Sequence, residues 1–173
     1  MDDFAALARA LHERDTRFVV IGVWGANFFA PAAGALFTTA DRDLFLPLDA
    51  ENVMRAWDAC EGSGLSLWSG SEPLDTPHDR FIADAVVARR ALVRASRAEL
   101  QVDLSLVMAG FDFETVWTER RVFLVDGVEI PVARLAHIVE SKAAAGREKD
   151  RLFLATHADA LRQLLGDSKN PPT

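Results

Sequence analysis

Apolar and polar positions in the first half of the chain follow two periodicities. Within residues 3–14, apolar side chains recur three and four positions apart, which predicts an amphipathic helix. Residues 17–22 form an unbroken run rich in β-branched and aromatic side chains that stops at a glycine, which predicts a buried strand. By the same criteria we predict a short helix at 24–29, a loop at 32–40, a second strand at 41–46 and a helix at 50–61.

The second half of the chain contains the clearest alternation of polar and apolar residues. Along 99–107 the two kinds alternate strictly enough to predict a strand with one polar face, and the apolar run at 91–95 predicts a second strand across a polar turn. The pair Asp126-Gly127 favours a type I′ hairpin. The other predictions are a surface loop at 69–78, mixed character at 80–90, a helix at 111–120, a hairpin over 122–132, and helices at 134–145 and 148–165 divided at Gly146.

These elements predict the class of fold. Strands interspersed with helices and followed by a helical C-terminus indicate an α/β or α+β fold built on a mixed β-sheet. We expect an α/β core at residues 1–133, a helical segment packed on that core at 134–166, and a flexible tail at 167–173. A length of 173 residues fits one compact domain with such an appendage.

Composition and charge exclude several classes of protein. Half of the residues are hydrophobic and 26% are charged, which is typical of a globular chain. The only cysteine, Cys60, lies on the apolar face of a predicted helix, so it cannot form an intramolecular disulfide and we interpret it as a core residue. A net charge of −7 argues against non-specific binding to DNA or RNA. An acidic, amphipathic N-terminus and the lack of a long apolar run favour a cytoplasmic protein without a membrane segment.

Three aspartates are the leading candidates for chemistry. Asp41 and Asp43 lie two residues apart on a predicted strand, so their carboxylates would project from the same face. Asp103, amid the alternation of another predicted strand, could bring a third carboxylate to the same sheet edge. Carboxylate oxygens on rigid strands suit Mg²⁺ or Mn²⁺. An Asp-x-Asp pair is also common as a solvated cap at a strand entrance, and spacing alone leaves both interpretations open.

A glycine turn precedes the aspartate pair. Residues 18–27 run from a predicted strand through Gly22 into the start of a predicted helix. Backbone N–H groups at such a start bind anions, and a glycine allows a phosphate to approach closely. Turns of this kind are frequent in α/β proteins, so the feature gains meaning only together with the aspartates.

In this order, the glycine turn, the Asp-x-Asp strand and the later single Asp resemble the nucleotidyltransferase superfamily, which has the DNA polymerase β-like fold. The resemblance covers about residues 17–107. It extends to residues 130–150, where the segment from Lys142 to Asp150 is similar to the helix-Lys and Arg-x-Lys-Asp segment of small bacterial members. Those members include toxin-type proteins related to abortive-infection and toxin–antitoxin systems.

The resemblance implies roles for individual residues. Asp41 and Asp43 would hold the metal ions, and Asp103 would ligate metal and help to deprotonate the acceptor hydroxyl. The residues implied to lie toward the nucleotide are Gly22 and Val23 at its phosphates, Trp24 as a candidate for a base pocket, and Lys142, Arg147 and Lys149. The three basic residues could instead satisfy a helix C-terminus and pair with neighbouring carboxylates, and the sequence does not separate these alternatives.

Two functions follow from the resemblance. The first is a metal-dependent nucleotidyltransferase that uses Mg²⁺ or Mn²⁺ to transfer a nucleoside monophosphate from an NTP to a hydroxyl of RNA, protein or a small molecule, releasing pyrophosphate. The second is a catalytically inactive module of the same fold that binds a cognate partner protein, as one half of a toxin–antitoxin pair. Val23, where the family has a second glycine or serine, and Arg42, which could pair with an adjacent aspartate, motivate the second.

Overall fold

A computed structural model describes residues 1–74 and 78–167. The prediction of a flexible tail therefore lies almost wholly outside the described residues, as does part of the predicted loop at 69–78. The helices and strands are, in chain order, α1 (Asp3–Glu13), β1 (Val19–Ile21), α2 (Gly22–Asn27), a 3₁₀ turn (Ala30–Ala33), β2 (Asp43–Phe45), α3 (Ala50–Gly62), β3 (Ser66–Ser69), β4 (Glu72–Pro73), α4 (Arg80–Arg89), β5 (Val93–Arg97), β6 (Leu100–Ser105), α5 (Phe113–Thr118), β7 (Arg121–Val125), β8 (Val128–Val132), α6 (Leu135–Ala145), α7 (Glu148–Thr156) and α8 (Ala158–Asp167).

The strands form one mixed sheet in the order β4-β3-β5-β6-β2-β1-β8-β7. Two neighbouring pairs, β2 with β6 and β1 with β8, are parallel, and the others are antiparallel. This arrangement confirms the predicted mixed-sheet α/β fold. Because β1, β2 and β6 lie at the centre of the sheet, the residues at their ends are held by neighbours on both sides.

The central strands are buried on both faces, which explains why β1 reads as an unbroken apolar run. Phe18 and Val20 belong to one hydrophobic cluster with side chains of α1 and α3, whereas Val19 and Ile21 belong to a second cluster with side chains of α6 and α8. Alternate residues of a strand point to opposite faces, so the sheet separates the two clusters. Within residues 1–74 and 78–167, no helix has the length and apolar character needed to cross a bilayer.

Several aspartates are used to start helices. The side chains of Asp2, Asp49, Asp79 and Asp112 each accept a hydrogen bond from a backbone N–H in the first turn of the helix that follows. These caps satisfy donors that the helix itself leaves unpaired. These four aspartates therefore have a structural role, which the aspartates of the predicted site do not share.

The predicted Asp126-Gly127 hairpin is confirmed. Both residues have positive φ, at 50° and 76°, as a type I′ turn requires. The predicted loop at 69–78 is partly wrong, since Gly70 forms a tight turn between β3 and the short edge strand β4. The predicted helix at 148–165 is divided at His157, whose ring packs against those of Phe37 and Phe153 at 4.7 and 5.0 Å between centroids.

Candidate active site

The three candidate aspartates come together because of strand register. Asp43 on β2 and Asp103 on β6 are direct partners in the parallel pairing of the two strands. The neighbours of Asp103 in sequence, Val102 and Leu104, point into the cluster that contains α1 and α3. Asp103 and Asp43 therefore point to the opposite face of the sheet, toward α6 and α7. Asp41, two residues before Asp43, is exposed at the entrance to the strand.

These carboxylates line a cleft of about 930 Å³ between the strand ends and the C-terminal helices. All the residues that the sequence placed at the site, except Trp24, are among its lining. The opposite wall, from α6 and α7, carries Lys142, Arg147 and Lys149. The cleft thus has a floor of carboxylates that faces a cationic wall.

Asp43 is the most perturbed acid in the cleft. Burial, followed by the negative charges of Asp103 and Asp41, raises its pKa from the ordinary value of 3.8 to about 6, while Lys142 and Lys149 act in the opposite direction. Among the described residues, neither Asp41 nor Asp43 has an ion-pair partner. In the described part of the chain, no ion pair therefore neutralises either charge, and a bound cation would relieve the repulsion between them.

Asp103 has a different environment. The Arg94 guanidinium donates from Nε to Oδ1 at 2.7 Å and from Nη2 to Oδ2 at 2.9 Å, so both carboxylate oxygens are engaged. Arg94 on β5 is the register partner of Asp103 in the antiparallel pairing with β6. In the part of the chain that the structure describes, no three Asp, Glu, His or Cys side chains are arranged to hold one metal ion together. The three-aspartate ligand set predicted from sequence thus remains a prediction, and its third member is held by an arginine.

The turn at Gly22 is shaped by Asp43. Gly22 has a φ of +72°, and a Cβ at this position would lie 2.6 Å from Oδ2 of Asp43. Glycine is required on both counts, because a side chain disfavours this conformation and would collide with the carboxylate. The structural reason for the glycine is therefore the close approach of Asp43, and its predicted role toward phosphates stays a prediction.

Trp24 and Arg42 depart from expectation. The Trp24 ring packs against Phe4 and Phe28, with centroids 4.3 and 5.5 Å apart, and does not line the described cleft. The expectation that Trp24 borders a base pocket is corrected accordingly. The Arg42 guanidinium lies over the Trp24 ring at 5.5 Å and pairs with neither adjacent aspartate, so the expected ion pair at this position is wrong. Val23 does line the cleft, as predicted.

A buried carboxylate orients two of the three cations. Asp150 is fully buried, and it accepts from Arg147 Nε at 2.6 Å and from Lys142 Nζ at 3.3 Å. Burial alone would raise the pKa of Asp150, but hydrogen bonds from Arg147 and Lys142 outweigh it and hold the pKa below its ordinary value. Of the alternatives left open by the sequence, the pairing with a neighbouring carboxylate is confirmed for Lys142 and Arg147, and their role toward a nucleotide stays a prediction, although both line the cleft.

Sequence reasoning missed Arg94 and Asp150 as site residues. Arg94 could have been found, because a two-residue turn between the two predicted strands pairs residue 97 with 100 and hence 94 with 103. The sequence offers Asp150 only as one of several carboxylates with which Lys142 and Arg147 could pair, since nothing in the local pattern shows that it is buried. Cys60 is confirmed as a core residue, and burial raises its pKa to about 12.

The fold is that of nucleotidyltransferases. Among solved structures, the chain is similar to the solution structure of the antibiotic-resistance factor ANT(2'')-Ia, with a TM-score of 0.54, 14% sequence identity, and coverage of 96% of this chain and 89% of that one. No family model and no curated protein matches the chain. At this identity the similarity confirms the predicted fold alone, and the expected relation to toxin–antitoxin systems remains a prediction.

Proposed function

We propose that this chain is a metal-dependent nucleotidyltransferase, which moves a nucleoside monophosphate from an NTP to a hydroxyl acceptor and releases pyrophosphate. The structural neighbour is an aminoglycoside nucleotidyltransferase, which supports an activity of this kind for the fold. The observation that carries the proposal is the cleft itself, where the carboxylates of Asp41 and Asp43 at the start of β2, unpaired among the described residues, face three cations on α6, on α7 and at the turn between them. Such a pairing of charges suits a metal and a triphosphate bound side by side.

The carboxylates of Asp41 and Asp43 fit a divalent metal ion. Asp41 and Asp43 supply hard oxygen donors on a strand end, they lack an ion pair among the described residues, and the side chain of Asp43 is held against Gly22. When bound there, Mg²⁺ or Mn²⁺ would polarise the phosphate that is attacked and stabilise the negative charge that develops in transfer. Both ions are compatible with this donor set, and we propose Asp41 and Asp43 as the residues that hold one.

The protein's own residues would bind and orient the nucleotide. Lys142 and Arg147 are held by Asp150, so their positive charges are positioned before a triphosphate binds, and Lys149 lines the same wall. Since Lys142 and Arg147 are already placed, little of their side-chain entropy is lost when a phosphate arrives. Gly22 and Val23 close the cleft beside the carboxylates.

Measurement of binding and turnover with each NTP tests the proposal. Isothermal titration with Mg²⁺ or Mn²⁺ and a non-hydrolysable analogue should give heat for at least one nucleotide, and Asp43→Asn should abolish pyrophosphate release from the matching NTP. Asp58→Asn, an exposed change on α3 away from the cleft, is the matched control and should retain full turnover. No binding of any nucleotide at millimolar concentration, by a protein with a normal thermal unfolding transition, would exclude the function.

A second function is favoured by one observation. Arg94 neutralises Asp103, the carboxylate that would help to deprotonate an acceptor, and this is compatible with a fold that has lost transfer activity and binds a partner protein instead. Label transferred from an NTP to RNA, to protein or to a small hydroxyl compound, and lost in Asp43→Asn, would eliminate this alternative. Nucleotide binding without transfer to any acceptor class, together with capture of a co-expressed neighbouring gene product, would support it.

A further inference from the structure

The Arg94 and Asp103 pair is fixed by the sheet. The two residues are cross-strand partners on β5 and β6, so their backbones hold the side chains on the same face and directly opposite each other. The contact is bidentate, which is the strongest and most directional arrangement available to an arginine and a carboxylate. Asp103 is only 7% exposed, so water has little access to its carboxylate, whereas the Arg94 side chain is partly exposed to the cleft.

A metal ion on Asp103 would have to displace this guanidinium or share the two carboxylate oxygens with it, which would bring two positive charges into contact. The other carboxylates whose charges reach Arg94 are Asp41 and Asp43. Those are the carboxylates that a metal would also require. Arg94 and a metal ligated by all three aspartates therefore compete for the same oxygens.

The charges of the floor point to a single cation. Asp41, Asp43 and Asp103, when ionised, carry three negative charges, and Arg94 returns one positive charge among them. The net negative charge that remains is balanced by one divalent ion. Lys142 and Lys149 act on Asp43 from the opposite wall and further disfavour a second ion.

We propose that the cleft holds one divalent cation, on Asp41 and Asp43, and that the Arg94 guanidinium takes the place of a second one. The inference rests on the proposed function, because it concerns the metal that this function requires. Arg94 then supplies a permanent positive charge beside the reacting phosphate, with a fixed position and no dependence on metal concentration.

Counting bound manganese tests the inference. Electron paramagnetic resonance gives the number of Mn²⁺ ions per chain, with a non-hydrolysable NTP analogue at equal concentration and the analogue alone as reference. We expect one ion per complex in the unmodified protein. Two ions would overturn the inference and leave the proposed function standing, whereas no ion would remove the proposed function and the inference with it.

Substitution of Arg94 should increase the number of bound Mn²⁺ ions. Arg94→Gln should release Asp103 and raise the count from one ion to two, and the double variant Arg94→Gln with Asp103→Asn should return it to one. Arg97→Gln on the same strand, whose guanidinium contacts Ser63 and Asp3 away from the cleft, is the control and should stay at one. If Arg94→Gln keeps a normal unfolding transition and still binds a single ion, the guanidinium is not what excludes the second.

Discussion

Replacing Asp43 by asparagine should stabilise the metal-free protein at neutral pH. Asp43 has a pKa raised to about 6 by burial and by the charges of Asp103 and Asp41, so its ionised form is less favourable in the folded protein than in the unfolded chain. Asparagine has nearly the same shape and carries no charge. The substitution therefore removes an unfavourable charge and keeps the packing around Gly22.

The magnitude follows from the pKa. Moving it from 3.8 to about 6 corresponds to at most about 3 kcal/mol of unfavourable free energy when the carboxylate is ionised. Because the folded state binds the proton more tightly than the unfolded chain, stability is lost as the pH rises through this window, and the loss is complete above it. For Asp43→Asn we expect a gain of about 1 to 3 kcal/mol at pH 8, or roughly 2 to 12 °C in Tm, that disappears near pH 4.

The assay is thermal or urea unfolding in EDTA at several pH values, with the Asp58→Asn control on α3. Millimolar Mg²⁺ should then make the unmodified protein more stable than Asp43→Asn, because the ion binds the folded state of the unmodified protein and has no effect of that size on the variant. A gain in stability that is equal at pH 4 and pH 8 would refute the assigned cause. If Asp43→Asn is no more stable than the unmodified protein at pH 8, the claim that no ion pair among the described residues neutralises the charges of Asp41 and Asp43 is refuted.

Three further substitutions or modifications follow from the same structure. Gly22→Ala should lower the free energy of unfolding by about 1 to 2 kcal/mol because of its positive φ, and it should reduce transfer activity by about 100-fold because it displaces Asp43. Gly34→Ala, with a φ of +61° and open space around it, should show only the loss of stability. Cys60, whose pKa is raised to about 12, should react with a thiol reagent at pH 8 at least about 100-fold more slowly than in the urea-unfolded chain. Asp150→Asn should lower the free energy of unfolding by about 3 to 5 kcal/mol and weaken nucleotide binding, whereas Asp159→Asn, at an exposed pair, should change little in either measurement.

Much of the fold could be predicted because its signals are local. The spacing of apolar residues in α1 and α3, and the Asp126-Gly127 turn, depend on neighbours within a few positions. The mixed character at 80–90 hid a helix, α4, because its exposed face includes Phe81 and its single fully buried residue is an alanine. The order of strands was not predictable in this way, since β1 pairs with β2 on one side and with the distant β8 on the other.

The candidate site could likewise be predicted only where its signals are local. Asp41 and Asp43 could be placed on one face from their spacing of two, and the position of Asp103 opposite Asp43 followed only through the superfamily resemblance, since β2 and β6 are joined by distant pairing. The ion-pair partner of each charged residue was harder to predict from the sequence. Arg42 is adjacent to Asp41 and Asp43 in sequence yet lies on Trp24, whereas Arg94, nine residues before Asp103 and across a turn from it, neutralises Asp103.

This contrast has a physical cause that extends to the cationic wall. On a strand, adjacent residues point to opposite faces, so Arg42 is directed away from the carboxylates that flank it, and the nearest charge in sequence is the wrong one to pair. On the helical side, Arg147 and Asp150 are three residues apart and can meet locally, but only the packing of α7 against α6 brings Lys142 to the same carboxylate. The state of each carboxylate, free or neutralised, is therefore a property of tertiary pairing. Under the proposed single-cation site, that state decides whether the cleft takes up one cation or two.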